Sequence, residues 1–182
     1  MTVFFSVDVE TTGTNPVDPT HHLTSVGAIV VYETGLLGPS WYCRIDYPDE
    51  WGEGTREWWL SQNKAAKQEQ FTTDRADPKL SAIQFVQWVE SQVAEDEEAI
   101  FVANPATFDY AWVLRWLTVF GIQSPFHYRT MCLRSADWGR NPGQWGLPRD
   151  GHKSVILHHA LADAQAQAMD LVDLLRRGEV PT

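Results

Sequence analysis

The chain has 182 residues, a hydrophobic share of 43%, a charged share of 21% and a formal net charge of −10. That length suits a single domain over residues 1–182 with enough chain to bury a full core. The acidic balance argues against a broad basic groove for long duplex nucleic acid, though not against an enzyme that grips a short end through divalent cations.

The first residues, MTVFFSVDVE, meet acids at once and carry no basic stretch, so they do not read as a signal peptide. Residues 2–9 read as a strand, and LTSVGAIVVY is a second, well-buried one. SWYCRID alternates enough to be a third. The short turn-rich link ETGLLGP favours antiparallel hairpins here. Cys43 and Cys132 have neither metal-ligand spacing nor a disulfide framework, which suits a reducing cytoplasm.

TREWWLSQNKAAKQEQ reads as one helix with Thr55 as its N-cap, broken by TTDRADP. Trp58 and Trp59 within it suit core packing or a contact with a base or a partner subunit. SAIQFVQWVESQVA is an amphipathic helix with Ser81 as candidate cap. AIFVAN is a fourth strand. TFDYAWVLRWLTVFG follows as a helix apolar nearly all round, ending at Gly121. TMCLRSADWG reads as a short helix, and residues 139–157 as an irregular loop. Arg140, Arg149, His152 and Lys153 in that stretch form either a phosphate-facing flap or a solvated surface. HHALADAQAQAMDLVDLLRRG is the last helix, closed by Arg176, Arg177 and Gly178. No apolar run approaches the ~18 residues of a membrane span. Hairpin strands followed by alternating helix and strand predict an α/β layer fold with a mixed sheet.

The acids fall in three places. Side chains on a strand alternate faces, so Asp8 and Glu10 point the same way and repel unless a cation sits between them. They read as solvated acids at a strand end or as a metal site. Asp109 opens an otherwise apolar helix, where it either complements the helix dipole or faces a site. Asp163 lies on the inner part of the last helix. His158, five residues earlier, is about 140° away on a continuous helix. It therefore joins Asp163 only from a loop or cap, whereas His159 is the partner on the helical face. Four converging carboxylates suit a hard cation such as Mg²⁺ or Mn²⁺, and a nearby His suits a general base.

In order and spacing, DVETTG with Asp8 and Glu10, NPATFDYAWV with Asp109, and HHALADA with His158 and Asp163 resemble the three motifs of the DEDDh 3′–5′ exonucleases. EWWLSQNKAA is similar to the small exoribonuclease branch of bacteria and phages, itself similar to the nuclease part of exodeoxyribonuclease VIII. The resemblance spans residues 3–177. It implies a ribonuclease-H-like fold with a five-stranded mixed sheet, three antiparallel strands and then parallel ones, flanked by helices. It implies release of nucleoside 5′-monophosphates from the 3′ end of single-stranded RNA or RNA overhangs. The alternatives are a 3′–5′ exodeoxyribonuclease of replication or recombination, and a proofreading or non-catalytic module of a larger complex. The implied cofactors are two Mg²⁺ or Mn²⁺ ions on Asp8, Glu10, Asp109 and Asp163, with Asp8 bridging them and Asp109 acting largely through water. His158 aligns with the general base. Thr11, Thr12, Gly13, Asn104 and Phe108 are the expected substrate contacts. Several such relatives pair, so a homodimer is an expectation by analogy. Ala162 stands where relatives often carry an acid.

Overall fold

Strand β1 (Thr2–Thr11) alternates Val3, Phe5, Val7 and Val9 with Phe4, Ser6, Asp8 and Glu10, and that period of two sorts its side chains onto opposite faces of a sheet. The computed structural model describes residues 1–140, 152–154 and 156–176. In it β1 is the centre of a five-stranded sheet in the order β3-β2-β1-β4-β5. β2 (Leu23–Tyr32) and β3 (Leu37–Arg44) extend it antiparallel on one side. β4 (Glu98–Ala103) and β5 (Thr130–Cys132) extend it parallel on the other. The mixed sheet expected for a ribonuclease-H-like fold is present, antiparallel half first.

Helices cover both faces. α3 (Pro78–Ser91) and α4 (Ala106–Val119) pack Phe85, Val89, Trp112, Val113 and Leu117 against the odd-numbered residues of β1. α5 (Leu133–Arg140) and α6 (Ala160–Arg176) cover the other face, where Leu133, Ala168, Leu171 and Val172 meet Ile29, Val31, Ile100 and Val102. α6 crosses β1 and β2 closely because small residues line the contact. Ala160, Ala164 and Ala168 are all fully buried, and Ser6 Oγ donates to the Ala164 carbonyl at 2.9 Å.

Several local boundaries differ from those expected. Residues 55–70 form two helices, α1 (Thr55–Ser61) and α2 (Lys64–Gln70). Asn63 separates them because its side chain accepts from the Ala66 N–H and so starts a new helix. Thr55 is the first helical residue rather than the cap. Gly54 takes that position at φ 71°, a left-handed backbone that glycine tolerates without a Cβ clash. The cap of α3 is Asp77, which accepts from the Leu80 N–H, with Pro78 at the first helical position. Ser81 is inside the helix and donates to the Asp77 carbonyl. Residues 130–139 are not one helix, since Thr130–Cys132 pair with β4 before α5 begins. Residues 141–151 and 155, Arg177 and Gly178 lie outside the described residues, and with them most of the expected 139–157 loop, including Arg149.

One glycine sets how closely α6 approaches. A Cβ on Gly27, opposite Asp8 in β2, would lie 2.2 Å from the Leu161 backbone nitrogen and 2.3 Å from the Ala160 carbonyl carbon. Overpacking of this kind costs roughly 1–3 kcal/mol. Gly27→Ala should therefore lower the melting temperature by several degrees and shift the start of α6. A differential scanning measurement showing wild-type stability would mean the helix is not held that tightly.

Candidate active site

The site is built at the C-terminal end of β1. β1 and β4 pair in parallel only as far as Ser6–Val102, so beyond that point β1 has no strand on this edge. Asp109, in the first turn of α4, takes the free position. Its Oδ1 accepts from the Val9 N–H at 3.2 Å. Asp109 is thus brought from one layer of helices to the strand, although it is almost fully buried. On the opposite face α6 supplies Asp163. Glu10, His158 and Asp163 each place a ligand atom within 4.8 Å of the other two.

Burial, together with repulsion from Asp109, Glu10 and Asp163, pushes Asp8 well above the usual carboxylate range, against a hydrogen bond from Gln167 that lowers it. Burial and the charges of Asp163, Asp109 and Glu69 do the same to Glu10. Burial raises Asp109 to about 7. Burial also raises Asp163, partly offset by a Ser154 hydrogen bond and by His158. Four carboxylates that resist ionising together form a strong trap for a cation, which relieves burial and repulsion at once. The donor set is oxygen-rich, as hard divalent ions prefer. Two buried acceptors beside it, Asn104 Oδ1 and Gln167 Oε1, have no hydrogen-bond partner among the described residues.

The His158–His159 pair divides as the geometry of α6 requires. His159 caps the helix: its carbonyl accepts from the Asp163 N–H at 2.9 Å, and its Nδ1 lies 3.4 Å from the Ala162 N–H. Its ring stacks on Tyr42 at 4.6 Å and lies 3.9 Å from Glu69 Oε2. Glu69 is held in turn by Arg44, at 2.6 and 3.0 Å, and by the Tyr42 hydroxyl. Burial alone would raise the Glu69 carboxyl, but these hydrogen bonds win and hold it below its ordinary value. His158 precedes the cap in the left-handed region at φ 60°. That turn lets its ring join Glu10 and Asp163 from outside the helix.

Two cavities flank the acids. One, of about 500 Å³, is lined by Glu10, Thr11, Gly13, Trp58, Trp59 and Phe108. Trp59 is core, with its Nε1 donating to the Thr11 carbonyl at 3.1 Å. Trp58 is 45% exposed, and its ring lies edge-on to His158 at 4.8 Å. Thr12 is fully buried, and its Oγ1 accepts from the His22 N–H, so it shapes the turn behind the cavity. The other cavity, of about 390 Å³, contains Asp8, Asn104, Lys153, His158, Asp163 and Gln167. Of the cations that the sequence places in the loop, Lys153 reaches this cleft, while His152 is tied to Asp170 and Asp173 of α6. Sequence reasoning missed Gln167 and Glu69. Gln167 was detectable as a polar residue one helical turn after Asp163; Glu69 carried no such signal.

Residues 3–174 match the family model described as the 3′-5′ exoribonuclease Rv2179c-like domain. The chain is 30% identical over 182 residues to the 3′-5′ DNA exonuclease Cap18 of Escherichia coli, covering 95% of this chain and 92% of that one. The fold is similar to the nuclease domain of 3′hExo, a DEDDh family member bound to rAMP, with a TM-score of 0.68 at 13% identity, over 97% of this chain and 92% of that chain. It is also similar to the zinc-bound E. coli ExoI–ssDNA complex, with a TM-score of 0.69 at 15% identity, over 98% of this chain and 41% of that one. Fold and matches together define a 3′–5′ exonuclease, a hydrolase, with the fold of a DEDDh family member. The chain belongs to the family of 3′-5′ exoribonuclease Rv2179c-like domains.

The raised carboxyls predict a pH-dependent stability. Asp109 ionises near 3.8 ordinarily and near 7 in the fold. Between those values the folded state holds a proton that the unfolded state lacks, so stability falls as pH rises. In EDTA, Asp109→Asn should therefore match the wild type near pH 4. Its advantage should grow to several degrees by pH 7 and then level off. An advantage independent of pH, or a loss at every pH, would contradict a strained carboxylate.

Proposed function

We propose that this domain removes nucleotides from the free 3′ end of single-stranded RNA or RNA overhangs, using two Mg²⁺ or Mn²⁺ ions held by Asp8, Glu10, Asp109 and Asp163. The observation that carries this reading is that Glu10 and Asp163 stand within 4.8 Å of each other and of His158, while Asp109 and Asp163 lie near enough to Asp8 and Glu10 for their charges to raise both carboxyls. Divalent ions bound there would supply the positive charge that stabilises the attacking water and the leaving oxygen. A ring nitrogen of His158 accepts a proton from the water as its oxygen bonds to phosphorus. The bond to the 3′ oxygen of the preceding nucleotide breaks, that oxygen takes a proton, and a nucleoside 5′-monophosphate departs. Trp58, Phe108, Thr11 and Gly13 line a space beside Glu10 that suits the terminal nucleotide. Its aromatic surfaces offer the stacking that single strands use. Trp58 packs edge-on against His158 at 4.8 Å and so limits the turning of that ring.

RNA is supported by the family description. A second reading, DNA, is supported by the relative Cap18, named as a DNA exonuclease. Discrimination rests on how the site treats one 2′-hydroxyl. The deciding assay incubates the protein with Mn²⁺ and labelled linear strands of one sequence as RNA and as DNA, beside a circular strand. Faster trimming of the RNA supports the first reading and faster trimming of the DNA the second. Hydrolysis of the circle at a comparable rate would overturn both.

The two histidines separate role from position. A positioned general base contributes about 10²–10⁴-fold, so His158→Ala should lose turnover of that order while still binding Mn²⁺. His159→Ala loses a helix cap worth about 1 kcal/mol and should show itself first as a lower melting temperature. Normal turnover in His158→Ala would remove that residue from the mechanism. Asp8→Asn should abolish hydrolysis without lowering apo stability. A sharp drop in its melting temperature would make Asp8 structural instead.

A further inference from the structure

We infer that Gln167 is a positioning residue for the cation site, fixing Asp8 through its amide N–H and holding a water of the ion's hydration shell through its amide oxygen. This inference rests on the two-ion reading above. Gln167 Nε2 donates to Asp8 Oδ1 at 2.7 Å. An ionised carboxylate only accepts, so with Asp8 ionised, as a bound cation would hold it, the amide turns its NH₂ towards Asp8 and its oxygen away. That oxygen is buried and has no partner among the described residues, and the residue as a whole is 8% exposed. Asn104 Oδ1, on the wall of the same cavity, is also buried and unpaired.

Two buried acceptors in one cleft require donors. Phosphate oxygens of a nucleic acid carry no proton at neutral pH and would repel them. With Asp8 and Asp163 ionised around a cation, those carboxylates offer no donor either, and Lys153 and His158, which line the same cleft, make no hydrogen bond to either acceptor. A hydrated divalent cation on Asp8 brings donors to this wall, because its bound water is polarised and Mg²⁺ retains several such molecules.

The rest of α6 makes the placement rigid. Gln167 follows Asp163 by one turn and so shares its face. The Ser6–Ala164 hydrogen bond pins the helix to β1 between them. With one lone-pair direction of Oδ1 taken by Gln167, the rest of the Asp8 carboxylate would be left to hold a cation. Partners of this kind, behind the ligands themselves, typically account for 10–100-fold in metal affinity.

The test compares wild type, Gln167→Met, Ser6→Ala and Asp8→Asn. Methionine keeps the length and apolar stem of glutamine and removes both polar atoms. Ser6→Ala removes the structural pin without touching the acids. Mn²⁺ affinity is measured by calorimetry without nucleic acid, well below the melting temperature of every variant, and turnover is followed across Mn²⁺ concentration. Gln167→Met should bind Mn²⁺ about 10–100-fold more weakly, and its turnover should recover at high Mn²⁺ with KM for the strand little changed. Ser6→Ala should lose stability and lose clearly less affinity than Gln167→Met. Unchanged affinity in Gln167→Met, or equal losses in Gln167→Met and Ser6→Ala, would overturn the inference. So would a change confined to KM for the strand, which would make the orphan oxygen a substrate contact. If wild type binds no Mn²⁺, or Asp8→Asn binds it equally well, the two-ion reading itself fails.

Discussion

Repulsion among Asp8, Glu10, Asp109 and Asp163 is the force that the rest of the fold must withstand. Each acid is buried enough to resist ionising, and Asp8 and Glu10 both feel the charges of Asp109 and Asp163. At the site itself, the hydrogen bonds from Val9 to Asp109 and from Gln167 to Asp8 oppose that force, but the elements are held mainly from outside it. They are kept by packing elsewhere: Phe85, Trp112 and Leu117 on one face of the sheet, Leu133, Leu171 and Val172 on the other. Two short hydrogen-bonded ties then carry that rigidity to the acids, one from Asp109 to the Val9 N–H and one from Ser6 to α6.

β1 serves both roles because a strand has two independent faces. Its odd positions fill the core under α3 and α4. Its even positions meet α6 in sequence, from Ser6 at Ala164 to Asp8 at Gln167. A one-residue slip of register would exchange the acids with Val7 and Val9, placing carboxylates in the apolar core. The pairing of Asp8 with Gly27 therefore matters twice, since the same glycine admits the N-terminus of α6.

This division was readable in the sequence because period-two alternation in SVDVE and the apolar course of α4 are local signals. The three acidic motifs were legible for the same reason, and so was the need for His158 to stand outside the helix: five residues before Asp163 is the wrong angle for a shared face. Signals that depend on a partner were lost. β5 spans three residues, Thr130–Cys132, too few for any periodicity, and it exists because β4 offers it an edge. The break between α1 and α2 hinged on one Asn63 side chain choosing to cap rather than continue. Gln167 looks like a solvated helix residue until α6 is laid across Asp8. Glu69 likewise gives no sign in sequence that it stands near Glu10, since Arg44, Tyr42 and His159 gather around it only in three dimensions.

The acidic balance of the chain bears on how such a site meets a polyanion. Several of its arginines are already engaged: Arg44 with Glu69 and Asp74, Arg75 with the carbonyls of Thr24 and Ile45, Arg115 with those of Asp18 and His21, and Arg129 with Glu98. Lys153 is the lysine that lines the cleft beside Asp8 and Asp163. With a net charge of −10, the bare site repels the phosphate it must approach. On the proposed reading, cations bound by the four acids would reverse that sign locally, and one set of charges would serve both to hold the strand and to polarise the reacting bond. Aromatic surface from Trp58 and Phe108 can then add affinity that no positive patch provides. A protein built this way would grip a strand where its ions bind, at the end of β1, more than elsewhere. That is the behaviour required of an enzyme that works from an end.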